Sequence, residues 1–136
     1  MQNIDLNRFH IAQAMSYNTA LEEIKTGLKT SHWMWYIFPQ LKGLGKSPTS
    51  QFYGISNLEE AKAYLDDEIL GPRLKEITSA LLNHSNKAIE SILGNIDSMK
   101  LKSSMTLFDL VSPNDVYQEV LETFFDGRRC KRTLTF

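Results

Sequence analysis

The sequence predicts an all-α fold, an irregular single-domain bundle of about six to seven helices. Three observations predict it. Apolar residues recur at helical rather than strand spacing along most of the chain. Glycine, proline and capping residues fall where one periodic run ends and the next begins. The chain has 136 residues, 42% hydrophobic and 23% charged, the size and composition of one soluble core.

The elements follow in order. Leu6, Phe9 and Ala12 share a face of a helix predicted over 5–15. Leu21, Ile24 and Leu28 repeat at i, i+3, i+7 in a second helix over 18–28, with Glu22, Glu23 and Lys25 between them. Asn57 precedes Glu60 at capping-box spacing and opens a short helix whose apolar stripe is Leu58, Ala61 and Leu65. Gly71-Pro72 punctuates the chain, with Pro72 suited to a first helical position. Leu74, Ile77 and Leu81 carry the following stripe to about Asn83. A short helix over 87–93 stops at Gly94. Asp97 is placed to cap the next, with Leu101, Met105, Phe108 and Val111 inward. Ser112-Pro113 breaks it, and a last helix over 114–125 buries Val116, Val120, Leu121 and Phe124.

Composition narrows the function classes. A net charge of −1 provides no global field toward nucleic acid, so no nucleic-acid partner is expected. No run approaches the ~20 apolar residues that span a bilayer, so no membrane partner is expected. The first residues have neither the basic start nor the apolar stretch of a secretory signal, and the expected compartment is the cytoplasm. The single cysteine, Cys130, excludes an internal disulfide and a multi-cysteine zinc cage. It lies within Arg128-Arg129-Cys130-Lys131-Arg132, where cations favour the thiolate; the run itself reads as a solvated tail rather than a phosphate site, with a weak anion contact as the alternative. The histidines, His10, His32 and His84, have no metal-ligand spacing, so no metal is expected. Neither GxSxG nor a phosphate loop occurs, and no cofactor is expected.

The informative segment is 31–47, which holds both tryptophans and ends in the glycine loop Gly43-Leu44-Gly45. Residues 33–38 are apolar on every side, which predicts a buried helix, although their aromatic density also suits a short buried strand. His32, Gln40 and the indole N–H groups of Trp33 and Trp35 are polar groups that need partners there. Aromatic faces beside a glycine loop, with Ser47, Ser50 and Tyr53 near, suit a planar, anionic ligand. Lys100 and Ser104 share a helical stripe that sets polar groups beside the core, and Ser104 also suits a bond back to a carbonyl one turn earlier. Arg73 stands in a first turn, where acids are preferred; it suits a pair with Asp66, Asp67 or Glu68, or a reach into a site.

Ser31-His32-Trp33-Met34-Trp35-Tyr36-Ile37-Phe38-Pro39-Gln40-Leu41, followed by Gly43-Leu44-Gly45 and Ser47, resembles the bacterial domain-of-unknown-function 1810 family, whose members are sometimes labelled calpastatin. Leu70-Gly71-Pro72-Arg73-Leu74 and Ser103-Ser104-Met105-Thr106-Leu107-Phe108 fit the same resemblance, which covers nearly the whole chain. It implies a mainly α-helical domain and no established activity. Calpastatin is a disordered inhibitor, so that label has no bearing on this globular sequence. The chain departs from the family's usual pattern where Asp67-Glu68 replaces a His-Pro-like pair and where Cys130 replaces an acid.

The functional expectation is a site for a small nucleotide-like or ADP-ribose-like ligand. Trp33, Trp35, Gln40, Lys42, Ser47, Tyr53, Arg73, Lys100 and Ser104 bind it, and His32 is the one histidine suited to general acid–base work. The helical layout and aromatic-plus-lysine site also resemble, in topology, helical domains associated with NAD and ADP-ribose processing. Geometrically, the loop 43–47 and the Lys100–Ser104 stripe are expected as opposite walls of one polar pocket floored by His32 and Trp35. The alternative is a non-enzymatic interaction or scaffold domain with the aromatic segment as core.

Overall fold

A computed structural model describes residues 4–135. Helix accounts for 67% of them, in nine helices of which five exceed six residues, and no strand occurs among the described residues. The all-α expectation holds. The elements are α1 (Asn7–Thr26), α2 (Met34–Ile37), α3 (Pro48–Tyr53), α4 (Leu58–Asp66), α5 (Leu70–Leu82), α6 (Ile89–Leu93), α7 (Asn95–Val111), α8 (Val116–Phe125) and α9 (Lys131–Leu134).

The first two expected helices are one. Phe9, Gln13, Tyr17, Ala20 and Ile24 form a single buried stripe along α1 at spacings of four, four, three and four, so nothing interrupts the turns. Gly27, with φ of 83°, ends the helix in the left-handed region and takes its N–H back to Glu23 and Ile24. Leu28 consequently lies outside the helix and is exposed. Gln13 is the polar member of the stripe, and its amide donates to the Tyr36 carbonyl and the Tyr64 hydroxyl, both at 2.8 Å.

Asn57 caps α4 as predicted, accepting the Glu60 N–H at 2.9 Å. Glu60 does not complete the box: its carboxylate takes the Ser56 N–H and the Arg8 guanidinium instead. Ala61 and Tyr64 form the buried face, while Leu58 is exposed. At Gly71 a Cβ would strike the Leu65 carbonyl, so only glycine allows α5 to start this close to α4. Pro72 occupies the third helical position rather than the first.

At the centre is α7, which packs against α4, α6, α8 and α9. Leu101 and every residue of 103–109 are buried, so this C-terminal part of the helix is enclosed on nearly all sides. It starts at Asn95, and Asp97 lies in its first turn rather than capping it. Asp97 instead bridges Lys29 Nζ at 2.8 Å and Lys100 Nζ at 3.5 Å. Two short helices escape the periodicity argument: α3, opened by the Ser47-Pro48 cap, and α9, inside the basic run.

The segment 33–38 contains the single helical turn α2, and only part of it is core. Trp33, Met34, Ile37 and Phe38 are 1% exposed. His32 is exposed, and Trp35 and Tyr36 are half-buried, contrary to the expected all-round burial. A single turn offers too little length to be enclosed by neighbouring helices.

The loop leading into it is organised by one carboxylate. Glu23 accepts the Thr30 N–H at 2.7 Å, the Ser31 N–H at 2.9 Å, the Ser31 hydroxyl at 2.6 Å and the Trp33 indole N–H at 3.0 Å. Burial alone would raise the Glu23 carboxyl, but these four bonds outweigh it and hold it down from 4.5 to about 2. Their contribution is therefore complete above pH 4.5 and is lost as pH falls toward 2. Glu23→Gln is expected to lower stability by about 1.5–3 kcal/mol at pH 7. Denaturant titrations of both proteins across that acid range should show the difference closing; a gap independent of pH would remove the ionised carboxylate from this role.

Candidate functional site

Residues 126–135 turn back onto the central helix. Beyond α8, Asp126 and Gly127 adopt left-handed φ of 55° and 76° and redirect the chain. Arg129 then forks onto buried Asp109, with Nε at 3.1 Å and Nη2 at 2.6 Å from Oδ2. The Cys130 N–H donates to Thr106 Oγ1 at 2.9 Å, and Ser103 Oγ lies 3.3 Å from Cys130 Sγ. Arg132 reaches the carbonyls of Leu44 and Gly43 at 3.4 and 3.5 Å, closing the far side onto the glycine loop. That loop is itself closed by a parallel bridge between Leu41 and Ile55.

These contacts enclose an open cleft of about 720 Å³ between the glycine loop, the exposed start of α7 and the C-terminal run. Of its fourteen lining residues, six are cationic and none is acidic: Lys100, Lys102, Arg128, Arg129, Lys131 and Arg132. The whole chain has 15 lysines and arginines and a net charge of −1, so this is a strong local concentration. Lys100 is compensated by Asp97 and Arg129 by Asp109. Among the described residues, no carboxylate lies within 4.0 Å of Lys102, Arg128, Lys131 or Arg132. The remaining lining is mainly apolar, from Leu44, Ile96, Met99 and Leu134, with Gln40, Ser103 and Cys130 as neutral polar or thiol groups.

Burial raises the Cys130 thiol, but the bond from the Ser103 hydroxyl and the neighbouring polar groups of Thr133 and Arg132 outweigh it. The result is a lowered pKa in a half-buried thiol that faces the cleft.

The expected pocket is present in part. Leu44 and Gly45 from the loop, Gln40 just ahead of it and Lys100 from α7 line one cleft. Its expected floor is corrected: neither His32 nor Trp35 lines it. Trp35 stands behind Lys100, whose Nζ sits 4.3 Å above its ring. Trp33 is sealed in the core beneath Lys29. Ser104 is fully buried, and its hydroxyl lacks both a ligand-facing surface and the expected bond to a carbonyl. Ser47 caps α3 through its Oγ, which accepts the Ser50 N–H at 3.1 Å. Tyr53 packs among Phe9, Tyr36 and Phe52. Lys42 is exposed beside the bridge. Arg73 lies elsewhere, stacked 4.9 Å over Tyr17 and 3.5 Å from Gln13 Oε1, and pairs with none of the three acids proposed for it.

The family model described as "Protein of unknown function (DUF1810)" matches residues 3–136. The chain belongs to this family. Among solved structures, it is similar to the conserved hypothetical protein Rv1873 from Mycobacterium tuberculosis, with a TM-score of 0.94 and 46% identity. That match covers 96% of this chain and 94% of the other. No curated protein matches.

In this DUF1810 chain, the cleft residues that sequence reasoning noted but left outside its candidate site are those of the C-terminal wall: Arg128, Arg129, Cys130, Lys131 and Arg132. Their signal was the charge run itself, which lacked only a reason to fold back. That reason is Asp109, an acid placed between the core residues Phe108 and Val111 with no local partner. Because cations surround the thiol, Cys130 should react with anionic iodoacetate faster, relative to neutral iodoacetamide, than free cysteine does. About 1 M salt should abolish the preference. A rate ratio no higher than that of free cysteine would show that these cations do not act on the cleft.

Proposed function

We propose that the cleft binds a small organic anion with a phosphate-like head. The observation that carries this reading is the concentration of six cationic side chains, and no acid, on one apolar-backed cleft. Cations left without carboxylate partners around a concave surface attract anions, and arginine pairs with phosphate through two parallel N–H donors. The cleft volume lies within the range of small-molecule sites, roughly 300–1,000 Å³.

The nucleotide-like or ADP-ribose-like ligand suggested by the sequence is one member of this class. Its phosphates suit Arg128, Lys131 and Arg132, and the Gln40 amide supplies a donor and an acceptor at the loop side. Binding is the better-supported activity. The exposed His32 does not line the cleft, and no other histidine or carboxylate does, so general acid–base work there has no candidate among these groups. The scaffold alternative draws support from Trp33 and Phe38, which are core, but leaves the clustered cations unexplained.

Inorganic pyrophosphate and ADP-ribose test the reading by thermal shift and calorimetry. Either should raise the melting temperature, with stabilisation near 2.7 kcal/mol at about a hundred times its Kd. Affinity should fall with salt, and by about tenfold or more in Arg128→Gln/Lys131→Gln. Failure of every phosphate-bearing anion to bind would overturn the proposal.

A further inference from the structure

The second half of the ligand is written in the uncharged part of the lining. Leu44, Ile96, Met99 and Leu134 are its large apolar side chains, and no aromatic ring is among the lining residues. Ile96 is 75% exposed, Met99 63% and Leu134 46%. Three large apolar side chains held in water beside four carboxylate-free cations are more than scattered surface hydrophobes, which occur singly. Ile96 and Met99 are one turn apart on α7, and Ser103 continues the same stripe, so the apolar strip runs along the helix toward Cys130.

Resting on the anion-cleft reading, we infer that the ligand is a single-chain amphiphile, an alkyl or acyl chain with a phosphate-like head, taken up as a monomer. A nucleobase needs a ring to stack on and edge partners to bond. The nearest candidate face, Trp35, already has Lys100 4.3 Å above it. The Ser103 hydroxyl lies 3.2 Å from the Met99 carbonyl, which already engages it. An aliphatic chain asks only for apolar surface. Met99 supplies it in a flexible, polarisable form, and the methylene stems of Lys102 and Lys131 extend it while their ammonium groups meet the head. Charge complementarity selects the acidic head, since the lining has no anionic group to hold a cationic one.

Calorimetry with methyl, butyl and octyl phosphate tests this, each below its self-association concentration. Full burial of one methylene is worth about fourfold in affinity, from ~0.8 kcal/mol. Half that free energy in an open cleft is about twofold per carbon, so octyl phosphate should bind at least about tenfold more tightly than butyl. Ile96→Gln/Met99→Gln alters only exposed positions and should melt as the parent does. It should bind methyl phosphate unchanged and lose the chain-length gain. Octyl glucoside should bind at least tenfold more weakly than octyl phosphate.

Equal affinity for methyl and octyl phosphate would overturn the amphiphile while leaving the anion cleft. Tighter binding of adenosine monophosphate than of octyl phosphate would do the same and favour the nucleotide. Octyl glucoside matching octyl phosphate would overturn the acidic head. Adsorption to phosphatidylglycerol vesicles without binding of monomeric octyl phosphate would replace the monomer with a membrane surface. Binding of no phosphate ester at all would overturn both readings.

Discussion

The buried carboxylate of Asp109 is the constraint on which the C-terminal architecture depends. It sits on a helix enclosed by neighbours and is 5% exposed. One of its oxygens, Oδ1, has no hydrogen-bond partner, so Arg129 supplies its compensation at Oδ2. A charge removed from water without a partner costs several kcal/mol, far more than an ordinary surface contact. The chain after α8 is therefore held on α7, and Thr106 and Ser103 extend the seam to Cys130. The remaining cations of that segment follow Arg129 passively onto one side of the cleft.

A second chain of interactions sets the opposite end. Glu23 orders the loop after α1, which seats Trp33 in the core and holds Lys29 over its ring. Lys29 meets Asp97 on α7, and Asp97 in turn holds Lys100, which stacks on Trp35. The two tryptophans thus serve as platforms for lysines: one lysine anchors α7 to the loop, and the other stands at the edge of the cleft. Each link is a charge-assisted bond or cation–π contact of about 0.5–3 kcal/mol, and their geometry positions the cleft more than any single contact stabilises it.

Much of this was legible in the sequence. Long periodic runs gave α5 and α8, and Asn57 and Gly94 marked real boundaries because capping is local chemistry. Leu44 and Gly45 of the expected loop do line one cleft with Lys100. Tertiary effects hid the rest. Glu23 read as one of the polar residues between apolar positions, and Gln13 lay outside the expected stripe of Leu6, Phe9 and Ala12, yet each collects donors or acceptors from distant segments. His32 and Trp35 looked enclosed by their apolar neighbours, but a four-residue helix buries only one side. The run 128–132 looked solvated because its one buried partner stands twenty residues upstream, beyond any periodic signal.

The Asp109–Arg129 pair builds the cleft by holding the basic run on α7. Amide hydrogen exchange at Cys130, whose N–H is bonded to Thr106 Oγ1, reports directly on that attachment. It is best measured in the parent and in Asp109→Asn alongside pyrophosphate affinity. In Asp109→Asn, Cys130 protection and pyrophosphate binding should fall together while the amides of Ile24 and Leu74 keep their protection. Lost protection at Cys130 with undiminished pyrophosphate affinity would show that the cleft binds anions without this pair.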